Sequence, residues 1–253
     1  VNLTFLGTGT SQGVPVIGCR CPVCQSQDGR DNRLRTSILL EDNGRVVVVD
    51  TGPDFRQQML REGVTRLDAV VFTHAHKDHI AGLDDVRPFN YRQKSATPVF
   101  ATTAVQQALR REFYYCFDEH RYPGVPDLEL NTIDTDEFQA GGLPFIPLPV
   151  MHMYLPVLGF RVGKLVYITD ANHIPESTYE KIGQPDILVL NALRHTAHPS
   201  HFTLNQALQV VDRIQPKQAF FTHISHQLGL HSEIAAQLPP NAQLAYDGLK
   251  LRV

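Results

Sequence analysis

The segment His74-Ala75-His76-Lys77-Asp78-His79 places three imidazoles and one carboxylate within six residues. Imidazole and carboxylate together suit Zn²⁺, Mn²⁺ or Fe. On extended chain, ligands at i and i+2 point to the same side, so His74 and His76 share a face. Asp78 and His79 then fall in the turn beyond the strand end. Four ligands at the mouth of a strand can hold a pair of divalent cations, a density that a solvated polar loop does not require. A second cluster, Cys19-Arg20-Cys21-Pro22-Val23-Cys24, holds three of the 4 cysteines. Thiols this close cannot all pair with one another, and the spacing is not that of a secreted disulfide framework. The first residues, Val1-Asn2-Leu3-Thr4, lack the basic-then-apolar layout of a secretory leader. A reducing cytoplasm is therefore expected, where clustered thiols serve metal or redox chemistry.

These residues need elements to position them. The apolar run Leu67 to Thr73 reads as a buried strand leading straight into the histidine cluster. Val1 to Thr8 reads as an edge or first strand. Thr36 to Thr51 reads as a hairpin around Asp42-Asn43-Gly44. A helix is expected over Pro53 to Glu62, and a strand then a helix over Thr97 to Phe113. After an irregular stretch from Asp118 to Pro126, strands are expected at Leu128 to Ile133, Leu143 to Met151, Val157 to Val162 and Lys164 to Thr169. Further expected elements are a helix at Pro175 to Ile182 and a strand at Asp186 to Leu193. A helix over Thr203 to Ile214, with Thr203 as N-cap, a strand at Gln218 to Thr222 and a helix at His231 to Leu238 follow. A hairpin around Asp247-Gly248 closes the chain. Strands dominate each half with helices between them, which implies two sheets covered by helices, and no linker divides the chain. The Gly7 to Gly13 loop has neither the Lys of a P-loop nor the dinucleotide spacing, so it reads as a structural turn. Cys116, in FYYCF, reads as a core residue.

The HAHKDH segment resembles the HxHxDH signature of the metallo-β-lactamase fold hydrolases. The later family ligands occur in order, each after an apolar run: His152 after LPVM, Asp170 after LVYIT and His223 after AFFT. The resemblance implies an αββα four-layer sandwich over residues 1–253 as a single domain. It also implies a dinuclear centre, with His74, His76 and His152 on one metal, Asp78, His79 and His223 on the other, and Asp170 bridging. Within the superfamily, GTGTSQGVPVIGCRCPVC, ITDANHIPE and THISHQ are similar to the PhnP-type phosphodiesterases of the carbon–phosphorus lyase pathway. That likeness implies a structural zinc on Cys19, Cys21, Cys24 and His226. Three thiolates and one imidazole make a closed tetrahedral zinc site, although Cys116 and His231 also compete as fourth ligand. His201, before the helix at Thr203, looks like the extra histidine that protonates the leaving oxygen; His195 and His198 compete for that role.

The expected function is hydrolysis of a small phosphodiester, such as a cyclic ribosyl phosphate, through a metal-bridging hydroxide. Asp78 would orient the nucleophile and His201 would act as acid. Zn²⁺ and Mn²⁺ both fit the catalytic pair. The alternatives are a tRNA 3′-processing nuclease of the tRNase Z type, a thioesterase of the glyoxalase II kind, and a non-catalytic scaffold. A scaffold should lack a ligand, and none of the seven is missing. The chain of 253 residues carries 12 His, no Trp and a net charge of −3. This acidic balance argues against a nucleic-acid partner. No apolar run approaches the roughly 20 residues that span a bilayer. The PhnP likeness implies a homodimer. Arg87 and Asn90, after the motif, divide evenly between substrate contacts and loop structure.

Overall fold

The computed structural model describes all residues, 1–253. The chain forms β1 (Asn2–Gly7), β2 (Ser37–Asp42), β3 (Arg45–Val49), α1 (Phe55–Glu62), β4 (Ala69–Val71), α2 (Lys77–Ile80), α3 (Arg87–Gln93), β5 (Thr97–Ala101), α4 (Thr103–Glu112) and β6 (Leu128–Thr132). The second half adds β7 (Phe138–Ala140), β8 (Leu143–His152), β9 (Leu155–Val162), β10 (Leu165–Ile168), α5 (Glu176–Ile182), β11 (Ile187–Asn191), α6 (Leu204–Ile214), β12 (Gln218–Thr222), α7 (His231–Ala235), β13 (Ala242–Leu244) and β14 (Lys250–Arg252). One seven-stranded sheet runs β14-β1-β2-β3-β4-β5-β6, the other β13-β12-β11-β10-β9-β8-β7.

Alternation along the strands sorts their side chains into three cores. Val47, Val49 and Val71 of the first sheet face Phe160, Tyr167 and Val189 of the second, forming the core between the sheets. The intervening Val46, Val48 and Val70 pack outward on Phe55, Met59, Ile80 and Leu109 from α1, α2 and α4. Leu188, Leu190 and Phe221 pack outward on Ile182, Val210, Val211 and Ile234 from α5, α6 and α7. Three cores between four layers are the αββα sandwich. Each fully buried Leu, Phe or Val stabilises it by about 1.5–3 kcal/mol.

Local chemistry explains the well-placed elements. Asn43 and Gly44 take φ of 48° and 76°, the paired positive values a tight hairpin turn requires. Thr203 caps α6 by accepting from the Gln206 N–H, and Gln206 caps reciprocally. Three expectations differ from the structure. β1 is the first strand of the chain but not an edge, because β14 covers its outer side. The Asp247-Gly248 turn does not close a hairpin: β13 pairs with β12 in one sheet and β14 with β1 in the other, so the turn carries the chain between sheets. Asp78 and His79 lie in the short helix α2 rather than an open turn.

Candidate metal centre

The site lies along one edge of the sandwich. Strands β3 to β6 run parallel, as do β10 to β13. Their C-terminal ends therefore collect Asp50 and His74 from the first sheet and Asp170 and His223 from the second. β8 runs with β10, since both are antiparallel to β9, and it delivers His152 to the same edge. Asp50, Asp170 and His223 each adopt a positive φ (66°, 55° and 54°) just beyond their strands. Non-glycine residues rarely adopt that left-handed geometry, and such strain concentrates at functional sites. The two halves are stitched where Gly9 bridges Ile224 and the Ile224 N–H donates to the Thr8 carbonyl.

All seven expected ligands come together. Donor atoms of His74, His76 and His152 lie within 4.8 Å of one another, as do those of Asp78, His79, Asp170 and His223. A third group joins His152, Asp170 and His201 within the same limit, so Asp170 stands between the two sets. His74 Nε2 is 3.0 Å from His76 Nδ1. Asp170 Oδ2 is 3.2 Å from His79 Nε2, and its Oδ1 is 3.0 Å from His223 Nε2.

The outer nitrogens are fixed by neighbours. The Nδ1–H of His79 donates to the buried carboxylate of Asp50 at 2.7 Å. Asp50 also accepts from the Thr73 N–H and hydroxyl at 2.9 and 2.8 Å. The same hydroxyl accepts from His74 Nδ1 at 3.0 Å, and His152 Nδ1 donates to the Ser200 carbonyl at 2.8 Å. These contacts leave Nε2 of His74, His79 and His152 with free lone pairs turned inward, as metal-ligating histidines require. Asp50 and Thr73 were missed in the sequence. The available signal was an acidic residue closing the apolar run VVVV, the pattern that marks Asp170.

Electrostatics favour cations at this position. Burial raises the carboxyl pKa of Asp170 and Asp78, but the imidazoles of His79 and His223 overcome it and hold both well below the usual range. Burial likewise opposes charging of His223, yet Asp170 and Asp78 bring it up to about 9. Nε2 of His79, both ring nitrogens of His223 and Nδ1 of His201 are buried with no hydrogen-bond partner. Buried polar atoms are normally paired. Divalent cations would satisfy the inward Nε2 atoms and the carboxylates together, so the residues fit the group.

The cysteine cluster also assembles. Cys19 and Cys21 Sγ approach His226 Nδ1 at 3.4 and 3.3 Å, and Cys24 lies in the same donor group. The N–H of Cys24 lowers the Cys21 thiol to about 6, favouring the thiolate that ligates zinc. The competing fourth ligands are elsewhere: Cys116 is buried against α4 and its strands, and His231 Nδ1 faces Arg33. The His201 ring lies 4.6 Å from both neighbouring imidazoles, stacked on His223 and tilted against His152. His198 is one ring further out, 5.1 Å from His201, and His195 is exposed. Arg87 pairs with Asp84, while Asn90 binds Ser95, Thr97 and Asp127, so both serve loop structure.

Comparison with known proteins agrees with this geometry. The profile of the beta-lactamase superfamily domain matches residues 45–224. The chain belongs to the beta-lactamase superfamily. Within that superfamily it resembles a diphosphatase of the PhnP family, with 43% identity and a TM-score of 0.93 over 99% of this chain and 96% of that one. It is 41% identical to an octanoyltransferase of Porphyromonas gingivalis over 97% of this chain and 50% of that protein, and so spans about half of that relative's length. Zn²⁺-bound PqqB of Methylobacterium extorquens shares the fold at 19% identity, with a TM-score of 0.79 and full coverage of both chains. As a superfamily member with two seven-stranded sheets between helices, the chain has the metallo-β-lactamase fold. No helix is long and apolar enough to cross a membrane.

Proposed function

We propose that this chain is a metal-dependent phosphodiesterase acting on a small phosphodiester. The observation that carries the reading is His201, set against both ligand groups through His152 and His223 and within 3.8 Å of Asp170. A phosphoryl group at the donors would present its leaving oxygen to that imidazole. The likeness to a PhnP-family diphosphatase supports chemistry at a P–O bond. His74, His76 and His152 would hold one divalent cation, and Asp78, His79 and His223 a second, with Asp170 shared. Such cations, Zn²⁺ or Mn²⁺, supply Lewis acidity toward phosphoryl oxygens and lower the pKa of water.

The side chains complete the reaction. Water oxygen bonds to phosphorus as the bond from phosphorus to the leaving oxygen breaks. The carboxylate of Asp78 would orient the attacking water and take up its proton. His201 delivers a proton to the departing alkoxide. Burial and then the nearby His223 hold His201 down to about 2; an anionic substrate beside it favours the protonated ring. The cysteine site would hold a structural zinc, bracing the Gly9–Ile224 crossing that carries His223.

The test is turnover by metal-loaded protein on a panel. It comprises a cyclic ribosyl phosphate, an acyclic diester, a diphosphate diester, an acyl thioester and a precursor tRNA. Hydrolysis of a small phosphorus substrate with no thioester turnover is the expected result. Turnover of the thioester alone, in line with the acyl chemistry named for the longer relative, overturns the reading. Preference for the tRNA transfers it to RNA processing.

A further inference from the structure

Outside the ligand set, the loop from Arg194 to His201 is held with unusual completeness for a surface segment. The Arg194 guanidinium donates to the carbonyls of Thr196 and Ala197 at 3.2 and 3.0 Å, and to Gln227 Oε1 at 2.7 Å. Gln227 follows His226, so the loop is clamped to the segment that carries the cysteine site. At the loop's other end, the Ser200 carbonyl takes the Nδ1–H of His152. The Ser200 N–H donates to His198 Nδ1 at 3.3 Å, with its hydroxyl at 3.2 Å from the same nitrogen.

This last contact fixes a tautomer. A ring nitrogen that accepts a backbone N–H carries no proton, so His198 is protonated on Nε2. That nitrogen makes no hydrogen bond within the protein. Burial and the Arg194 cation both lower the pKa of the ring, which keeps it a neutral donor. The imidazoles form a row running outward: His152 and His223 at the ligands, His201 next, His198 beyond it. A phosphoryl group seated at the ligands with its leaving oxygen on His201 would place the next group of the substrate at His198.

We propose that His198, with the charge of Arg194 behind it, forms a second anion subsite on the leaving side, so the enzyme selects phosphorus substrates carrying a further phosphate there. The donor is a fixed N–H, the nearby charge is positive, and the position is one group beyond the proposed acid. This deepens, and rests on, the phosphodiesterase reading. It makes the preferred substrate a diphosphate-type or phosphate-substituted diester rather than a plain dialkyl one.

Binding to metal-loaded protein tests the subsite apart from turnover. Calorimetry would compare methylenediphosphonate, a P–C–P probe, with methylphosphonate, and metal content would be measured before and after titration. The two-phosphorus probe should bind more tightly to the wild type. His198→Asn keeps an acceptor for Ser200 but withdraws the outer donor; it should weaken methylenediphosphonate about tenfold, the scale of one hydrogen bond to a charged group, and leave methylphosphonate unchanged. His198→Gln, which reaches as far as Nε2, should recover most of the loss. Equal loss for both probes, no loss for either, or no preference in the wild type overturns the subsite. Failure of the phosphodiesterase reading would appear separately, as absence of diester turnover in the panel.

Discussion

The carboxylate of Asp50 accepts the Nδ1–H of His79 at 2.7 Å, and both side chains are completely buried. Asp50 thereby sets the tautomer that leaves His79 Nε2 free, and through Thr73 it reaches His74 as well. One residue outside the ligand set orients a histidine in each half of the centre. Asp50→Asn should lower affinity for the catalytic cations about 10–100-fold, the usual cost of losing an outer partner of a ligating histidine. Competition against a chromogenic chelator measures this. Unchanged affinity would show that the backbone alone orients His79.

Cys21→Ser should lose the structural zinc while both catalytic ions stay. Metal analysis by mass spectrometry should find one equivalent per chain fewer. The remaining thiols and His226 would then be left without a tetrahedral centre to hold residues 14–33 against the strand end of β12. Thermal melting should fall by at least about 4 °C, given that about 1 kcal/mol moves Tm by about 2–4 °C in a chain of this size. Full metal retention in the variant would remove the cysteine cluster from zinc binding.

The candidate ligands His74, His152, Asp170 and His223 were legible because each closes an apolar run. A strand end that must carry His, Asp or His at its last turn leaves a visible break between hydrophobic and polar residues, as at FT-His74, IT-Asp170 and FT-His223. The cysteine cluster was legible from its own density. What escaped depends on contacts across the chain. His226 over His231 is settled by a close approach some two hundred residues away, and Asp50 by a hydrogen bond to another strand's loop. The Ser200 carbonyl that fixes His152 is backbone and leaves no trace in residue type. The helix α2 was missed because it spans 4 residues, too few to show periodicity. The fate of β13 and β14 was missed because the turn between them resembles any hairpin turn.

His201→Ala should keep the catalytic metals, since the His74, His76 and His152 group and the Asp78, His79, Asp170 and His223 group are complete without it. On a diester with an alkoxide leaving group, kcat should fall about 10²–10⁴-fold. On a nitrophenyl diester, whose leaving group departs without a proton, the loss should be far smaller. The ratio of the two rates is the measurement. Equal losses on both substrates would assign His201 to binding instead of proton delivery.

A pH effect on stability is built into the cluster that joins the cysteine loop to the C-terminal turn. Buried Arg33 donates to His231 Nδ1 at 3.1 Å, and to the Thr8 hydroxyl and the Ala245 carbonyl. Burial first, then the Arg33 and Arg30 cations, lower His231 to about 4. The folded chain therefore binds fewer protons there than the unfolded chain across about 4 to 6.5, and the neutral ring's contribution, complete above that window, is lost as pH falls through it. Asp247, which takes the Thr8 hydroxyl and the Leu34 N–H, works in the opposite sense: burial raises it to about 6, so its contribution is lost as pH rises toward 6. The two slopes overlap and partly cancel in the wild type. His231→Gln keeps an acceptor for Arg33 but removes one slope. In urea denaturation, the stability advantage of the wild type over this variant should grow by about 1–2 kcal/mol from pH 4.5 to pH 7. An advantage equal at both pH values would mean that His231 titrates alike in the folded and unfolded chains, and that the Arg33 contact leaves its proton affinity untouched.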